Sequence, residues 1–249
     1  MKSERFENLA KRSADAFNSS RGSLDDGYDC PKCLNRGMFE DPPGTMVFCS
    51  CKPIRDSLNR LRKIGLGQAA QRLTFDTYQV SEPWQEKLLG RAKAFAEADK
   101  PGWFFIGGQS GCGKTHLCTA AAVALACRGF ELRYLRWAND SAQIKTMGLD
   151  SGRGDLLDQF ANVPLLYIDD LFKNTPTEAD KHIAFELLNA RYCHDDRITI
   201  ISSERTLTEI LSIDEAIGGR IHERCGRENV LNVSKNPARN YRMREIENI

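Results

Sequence analysis

Four consecutive apolar residues, Trp103-Phe104-Phe105-Ile106, run into the glycine-rich stretch GGQSGCGKT, and an alanine-rich segment then continues to Cys127-Arg128-Gly129. This pattern predicts a buried strand, a tight loop and a helix that stops at Gly129. Further apolar runs predict strands at LRYLRW (132–137), VPLLYIDDLF (163–172), RITIISSER (197–205) and NVLNV (229–233). Helical patterns lie between them. One covers 84–98, and another runs to about Tyr192 behind Thr175-Pro176-Thr177-Glu178, a capping-box pattern with proline at the first helical position. SGRGDLLDQF (151–160) mixes a flexible loop with a helix start, and DEAIGGRIHERCG (214–226) places Arg220 and Arg224 one helical turn apart on a single face. Strands that alternate with helices predict an α/β fold.

The chain before residue 84 is less regular. Residues 1–29 are polar and mixed in charge; two readings stay open for them, a frayed terminus or a short amphipathic helix over 4–17 with Phe6, Leu9, Ala10 and Phe17 on one side. From Ile54 to Leu73 runs a basic, helix-compatible connector with Ile54, Leu58, Leu61 and Ile64 near helical spacing. A solvated face is the better reading of its arginines, with a nucleic-acid contact second.

The 249 residues suit one domain with a small appendage, and 35 Lys plus Arg against 34 Asp plus Glu give no global reason to expect nucleic-acid binding. No apolar run approaches the ~18 residues of a membrane span, and the start MKSERFENLAKRSADAF lacks the apolar core of a secretory signal, so a cytoplasmic protein is expected. Four of the nine cysteines crowd into CPKC (30–33) and CSC (49–51), around the hairpin-like insert RGMFEDPPGTMVF. Two thiolate pairs at this spacing predict a tetrahedral zinc site of Cys30, Cys33, Cys49 and Cys51, structural because four thiolates leave no open position. The chain then divides into a zinc module (1–52), a basic helical linker (53–72) and a nucleotide-binding domain (73–249).

The candidate chemistry centres on G-x-x-x-x-G-K-T. Gly108, Gln109, Ser110, Gly111, Cys112 and Gly113 form a loop whose backbone N–H groups curl around phosphates; Lys114 adds a point charge and Thr115 a hydroxyl for magnesium. The helix N-terminus adds its dipole. The run ending in Asp169-Asp170 has the pattern of a strand that delivers a carboxylate, Asp169, to the magnesium shell. Ser202, Ser203 and Glu204 end the next strand and are expected to reach toward the terminal phosphate.

Together these residues resemble a bacterial or phage replicative helicase loader of the DnaC/DnaI type, in the AAA+ class. GQSGCGKTHL, including His116, is similar to the loader phosphate loop, YIDDLFK to its Walker B strand, IISSE to its sensor-1 strand and DEAIGGRIHERCG to the helix with its arginine finger. Arg242, after Tyr241, stands where such proteins carry a sensor-2-like arginine. The resemblance implies a five-stranded parallel sheet in 5-1-4-3-2 order. It implies ATP and magnesium as ligands, and a homo-oligomeric spiral in which Arg224, or Arg220, reaches a neighbour's γ-phosphate. Its partners would be a hexameric replicative helicase and single-stranded DNA. Two departures, Asp170 where the family usually has glutamate and Glu204 at the usual sensor asparagine, predict slow hydrolysis, stimulated by DNA or partner. An IstB-like transposition ATPase shares the core and the GKTHL string, although the cysteine module argues against it; a non-hydrolysing, ATP-gated adaptor is the alternative of another class.

The same resemblance, more loosely, makes the zinc module the helicase-binding region. Asp25, Asp26, Asp29, Glu40 and Asp41 give the module a poor footprint for a phosphate backbone, whereas Leu34, Met38, Phe39, Val47 and Phe48 offer apolar surface. Residues 1 to about 72 are therefore expected to bind helicase, and 73–249 to bind ATP and single-stranded DNA.

Overall fold

The computed structural model describes residues 2–25, 28–63, 65–147 and 152–243. The chain opens with α1 (Lys2–Ser19), a hairpin of β1 (Met38–Glu40) and β2 (Met46–Phe48), and the helices α2 (Lys52–Lys63), α3 (Gly67–Arg72) and α4 (Pro83–Glu97). The α/β core then runs β3 (Trp103–Gly108), α5 (Lys114–Cys127), β4 (Leu132–Arg136), α6 (Trp137–Thr146), α7 (Arg153–Asn162), β5 (Leu165–Asp169), α8 (Glu178–Tyr192), β6 (Ile198–Ser203), α9 (Leu207–Ile213), α10 (Glu215–Cys225) and β7 (Val230–Val233). Two 3-10 turns, Pro237–Arg239 and Tyr241–Met243, follow.

All five core strands pair in parallel, in the order β4-β5-β6-β3-β7. Counted along the chain this is 2-3-4-1-5, the expected order read from the other edge. The strands alternate between two apolar layers, as a sheet covered on both faces requires. Phe104, Ile106, Tyr167, Ile200 and Leu231 face α4 and α5, with Phe95, Leu117 and Leu125 packed against them. Trp103, Phe105, Leu166, Ile168 and Ile201 face the other layer, filled by Phe160, Ile183, Leu187, Ile210 and Ile221.

Several expectations change. Trp137 begins α6 instead of ending β4, and β5 and β6 are shorter than the apolar runs that predicted them. The cap of α8 is Thr177 with Asp180, two residues beyond the predicted Thr175 box. The segment T-P-T-E-A-D holds two overlapping boxes, and Lys145 on α6, 2.9 Å from Asp180, decides between them. The connector 53–72 is two helices rather than one solvated face: Leu66 and Ala70 are buried in the α5-side core beside Leu58. The side chains of Ile54 and Leu61, and Ile64 and Asp26 altogether, lie outside the described residues. In α1, Leu9 and Ala10 are exposed, whereas Ala14 is buried and Phe17 lies under the Arg36 guanidinium; the side chain of Phe6 lies outside the described residues.

One buried cation ties α7, α8 and β6 together. Arg191, fully buried near the end of α8, donates to Thr199 Oγ1 and to the carbonyls of Phe160, Ala161, Val163 and Ile198 at 2.7–3.0 Å. Phe160 and Ala161 lie in the last turn of α7, where the helix dipole is negative. Burial pulls the guanidinium down to about 9. We expect Arg191→Met to leave these carbonyls unpaired and to cost roughly 3 kcal/mol. The measurement is a urea unfolding curve, and an unchanged midpoint would show that the clamp is not stabilising.

Candidate functional site

The phosphate loop leaves β3 between its neighbours β6 and β7. At Gly108, φ is +110° and a Cβ would overlap the Val233 carbonyl; at Gly113, φ is +92° and a Cβ would lie 2.7 Å from the Tyr78 ring. Only glycine meets both the backbone angle and the close approach at these positions. α5 begins at the next residue, Lys114, so its free N–H groups face the loop. Lys114 Nζ folds back onto the carbonyls of Gly108 (3.0 Å) and Gln109 (2.7 Å).

Asp169, at the end of β5, is the hub of the site. Its Oδ1 accepts from Thr115 Oγ1 (3.2 Å), Tyr167 Oη (2.8 Å) and Ser202 Oγ (2.5 Å), and its Oδ2 accepts from Tyr134 Oη (2.9 Å). Burial, and then the Asp169 charge, push both tyrosines well above the usual phenol range, so they remain donors. Thr115 and Asp169 form a hydroxyl-carboxylate pair that fits a magnesium ion with its phosphates.

Beyond Asp169 the chain turns sharply. Asp170 has φ +59° and Phe172 φ +55°, and Lys173 Nζ lies 2.6 Å from Asp170 Oδ2. The left-handed angle gives a physical reason for aspartate at position 170, because Asp tolerates this region better than most side chains.

A cavity of about 390 Å³ opens over the loop, lined by Ser110, Gly111, Gly113, Lys114, Thr115 and His116 together with Asp170, Lys173, Glu204 and Arg242. Its volume suits a nucleotide-sized ligand. Leu73, Thr77, Tyr78, Gln79 and Tyr241 complete the wall. Glu204 accepts from Ser110 Oγ at 3.0 Å. His116 also has a packing role: its Nε2 lies 2.7 Å from the Thr74 carbonyl, and its ring meets Tyr78 edge-on.

Other expected residues point elsewhere. Cys112 buries its thiol in the core, leaving only its backbone to the loop, and Gln109 Oε1 accepts from the Asn236 N–H. Ser203 corrects the expectation that it reaches a phosphate, because its hydroxyl donates to the Leu171 carbonyl at 2.7 Å. Neither Arg220 nor Arg224 lines the cavity of its own chain. Arg220 bonds Asn189 Oδ1 and stacks over Phe185, while Arg224 pairs with Asp195 and the His194 carbonyl. Sequence reading missed Tyr134, Tyr167 and Lys173. A signal existed for Tyr167, which stands two residues before Asp169 and so on the same face of the strand.

The four-cysteine cluster is built separately. Cys30, Cys33, Cys49 and Cys51 are buried, with all sulfurs within 4.8 Å of one another. The Cys30–Cys49 and Cys33–Cys51 separations are 3.8 and 3.6 Å. Zinc–sulfur bonds of ~2.3 Å in a tetrahedron put sulfurs about 3.8 Å apart, whereas a disulfide needs about 2.05 Å. The donor set therefore fits zinc. Gly37 N–H donates to Cys33 Sγ (3.2 Å) and Arg55 Nε to Cys51 Sγ (3.4 Å); a further Arg55 nitrogen donates to Asn35 Oδ1 (2.6 Å). Arg55 is a buried cation beside the cluster that offsets part of the thiolates' negative charge.

We expect protein purified without added metal to carry about one zinc per chain by elemental analysis. Cys30→Ser should bring it below half an equivalent. Unchanged zinc in that variant would remove the assignment.

Comparison with known proteins agrees with this architecture. The phage-like element PBSX protein XkdC of Bacillus subtilis (strain 168) is 26% identical over 223 residues, 80% of each chain. YqaM of the same organism is 38% identical over 124 residues, and the replicative helicase loader DnaC of Escherichia coli (strain K12) is 28% identical over 131. The chain spans 39% of YqaM and 54% of DnaC. Among solved structures, DnaI superposes with a TM-score of 0.55 at 20% identity, covering 68% of this chain and 94% of its own. The DnaC helicase loader gives 0.52 at 18%, covering 68% and 99%. The core thus has the AAA+ fold of these proteins. Residues 68–243, which hold the phosphate loop, Asp169 and both arginines of α10, match the family described as IstB-like ATP binding protein, and the chain belongs to that family.

Proposed function

We propose that the chain is an ATP-dependent loader of a replicative helicase onto single-stranded DNA, acting in the cytoplasm and of phage or prophage origin. The match to the replicative helicase loader DnaC over 131 residues carries this reading. The similarity to the phage-like XkdC over 80% of the chain supports the origin.

Lys114 and the loop N–H groups hold the phosphates, and Thr115 with Asp169 would hold magnesium, which neutralises phosphate charge. Asp170 orients the attacking water, and Glu204 and Arg242 face the cavity as sensors. Arg224, with Arg220 second, reaches the γ-phosphate of a neighbouring copy in an ATP-built oligomer. The zinc module of residues 1–52 recognises the helicase. Exposed Met46, Val47 and Phe48 on its hairpin support that role, with Leu34, Met38 and Phe39 half-buried behind them. Residues 53–72 connect it to an ATP- and DNA-binding domain over 73–249. The family description favours a second reading, a transposition ATPase, distinguished by association with a transposase instead of a helicase.

The direct test is capture of the replicative helicase by the full chain, with and without ATP. We expect capture, lost when the cysteines are replaced; capture of a transposase alone would favour the second reading. For turnover, Lys114→Ala should abolish most ATP binding and Arg224→Ala should retain it. A mixture of the two should recover part of the hydrolysis that each lacks. Full activity of Arg224→Ala alone would reject its role in trans.

A further inference from the structure

The turn after β5 holds together two groups that the proposed reaction needs apart. Its backbone is fixed to β6: Asp170 N–H donates to Ser202 Oγ (2.9 Å), Leu171 N–H to the Ser202 carbonyl (2.9 Å), and Ser203 Oγ to the Leu171 carbonyl (2.7 Å). Arg205 adds donors to the carbonyls of Phe172 (3.0 Å) and Asn174 (3.2 Å). Lys173 N–H closes the turn on the Asp170 carbonyl at 3.0 Å. Two left-handed residues, Asp170 and Phe172, shape this turn, and such outliers persist where surrounding contacts over-determine them.

The Lys173 side chain is not fixed in the same way. It is 44% exposed, and its ammonium contact is with the Asp170 carboxylate, 2.6 Å away. An ion pair this exposed contributes at most about 1 kcal/mol. The hydrogen bond it donates to Asp170 keeps the amine above its usual range against the opposing effect of burial, so it is charged at neutral pH. Lys173 and Asp170 line the same cavity as Lys114 and Thr115. A terminal phosphate entering there offers three oxygens and more charge than one carboxylate, and a compact, flexible ammonium suits it. ADP brings no such group.

We propose that Lys173 reads the γ-phosphate: when ATP occupies the cavity, its ammonium leaves Asp170 for the terminal phosphate oxygens. The same exchange that distinguishes ATP from ADP frees the Asp170 carboxylate to face the attacking water. No bond is made or broken in this step, only an ion pair exchanged. The inference rests on the nucleotide reading of the cavity and adds a residue to it.

The test is equilibrium titration of the full chain with ADP and with the non-hydrolysable β,γ-methylene analogue of ATP. Lys173→Met should weaken binding of the ATP analogue about tenfold and leave ADP within about twofold, and Lys173→Arg should recover most of the loss. The retained ADP affinity reports that the variant is folded. Equal weakening for both nucleotides, or none for the ATP analogue, would overturn the proposal. Failure of the unmodified chain to bind either nucleotide would overturn the cavity reading and the proposal with it.

Discussion

A single carboxylate organises the carboxyl edge of this sheet. Asp169 accepts hydroxyls from β4, β5, β6 and α5, so four elements are held in register around one buried charge. A buried carboxylate is tolerable only when its lone pairs are met. Neutral hydroxyls meet them here, and they bring no positive charge to compete with a bound cation. Remove the carboxylate and Tyr134, Tyr167 and Ser202 all lose an acceptor in a largely buried place.

The loop that faces this hub is braced from outside the sheet as well. The Tyr241 N–H donates to the Gly111 carbonyl at 3.0 Å, and the Tyr241 hydroxyl donates to the Gln79 carbonyl at 2.7 Å. The C-terminal turn and the segment before α4 are thus clamped over the same glycines. Loop order comes from both ends of the core domain, a long-range contact that no local motif contains.

What the sequence could be made to say follows the range of the forces involved. The phosphate loop, the core strands and the cysteine cluster were legible, because glycine spacing, apolar runs and thiol pairs are local patterns, whereas the sheet order came only through the family resemblance. Tyr134 was not legible, since it meets the site only through its register opposite Tyr167 in a neighbouring strand. The sequence offered no reason for aspartate rather than glutamate at position 170, and the left-handed backbone there supplies one. The cap at Thr177 was hidden by a competing four-residue box, Thr175 to Glu178, on the same stretch, and a tertiary ion pair to Lys145 settles it. Leu66 and Ala70 were read as part of a solvated linker because a basic composition around them masked a short apolar stripe.

That stripe has a mechanical meaning. α2 starts at Lys52, immediately after the last cysteine of the cluster, and packs with α3 against α5, the helix whose first residue is Lys114. Arg55 fastens its first turn to the cluster, and Leu66 and Ala70 sink α3 into the core. The cysteine cluster and the phosphate-loop helix are therefore linked through packed helices, because α2 touches both.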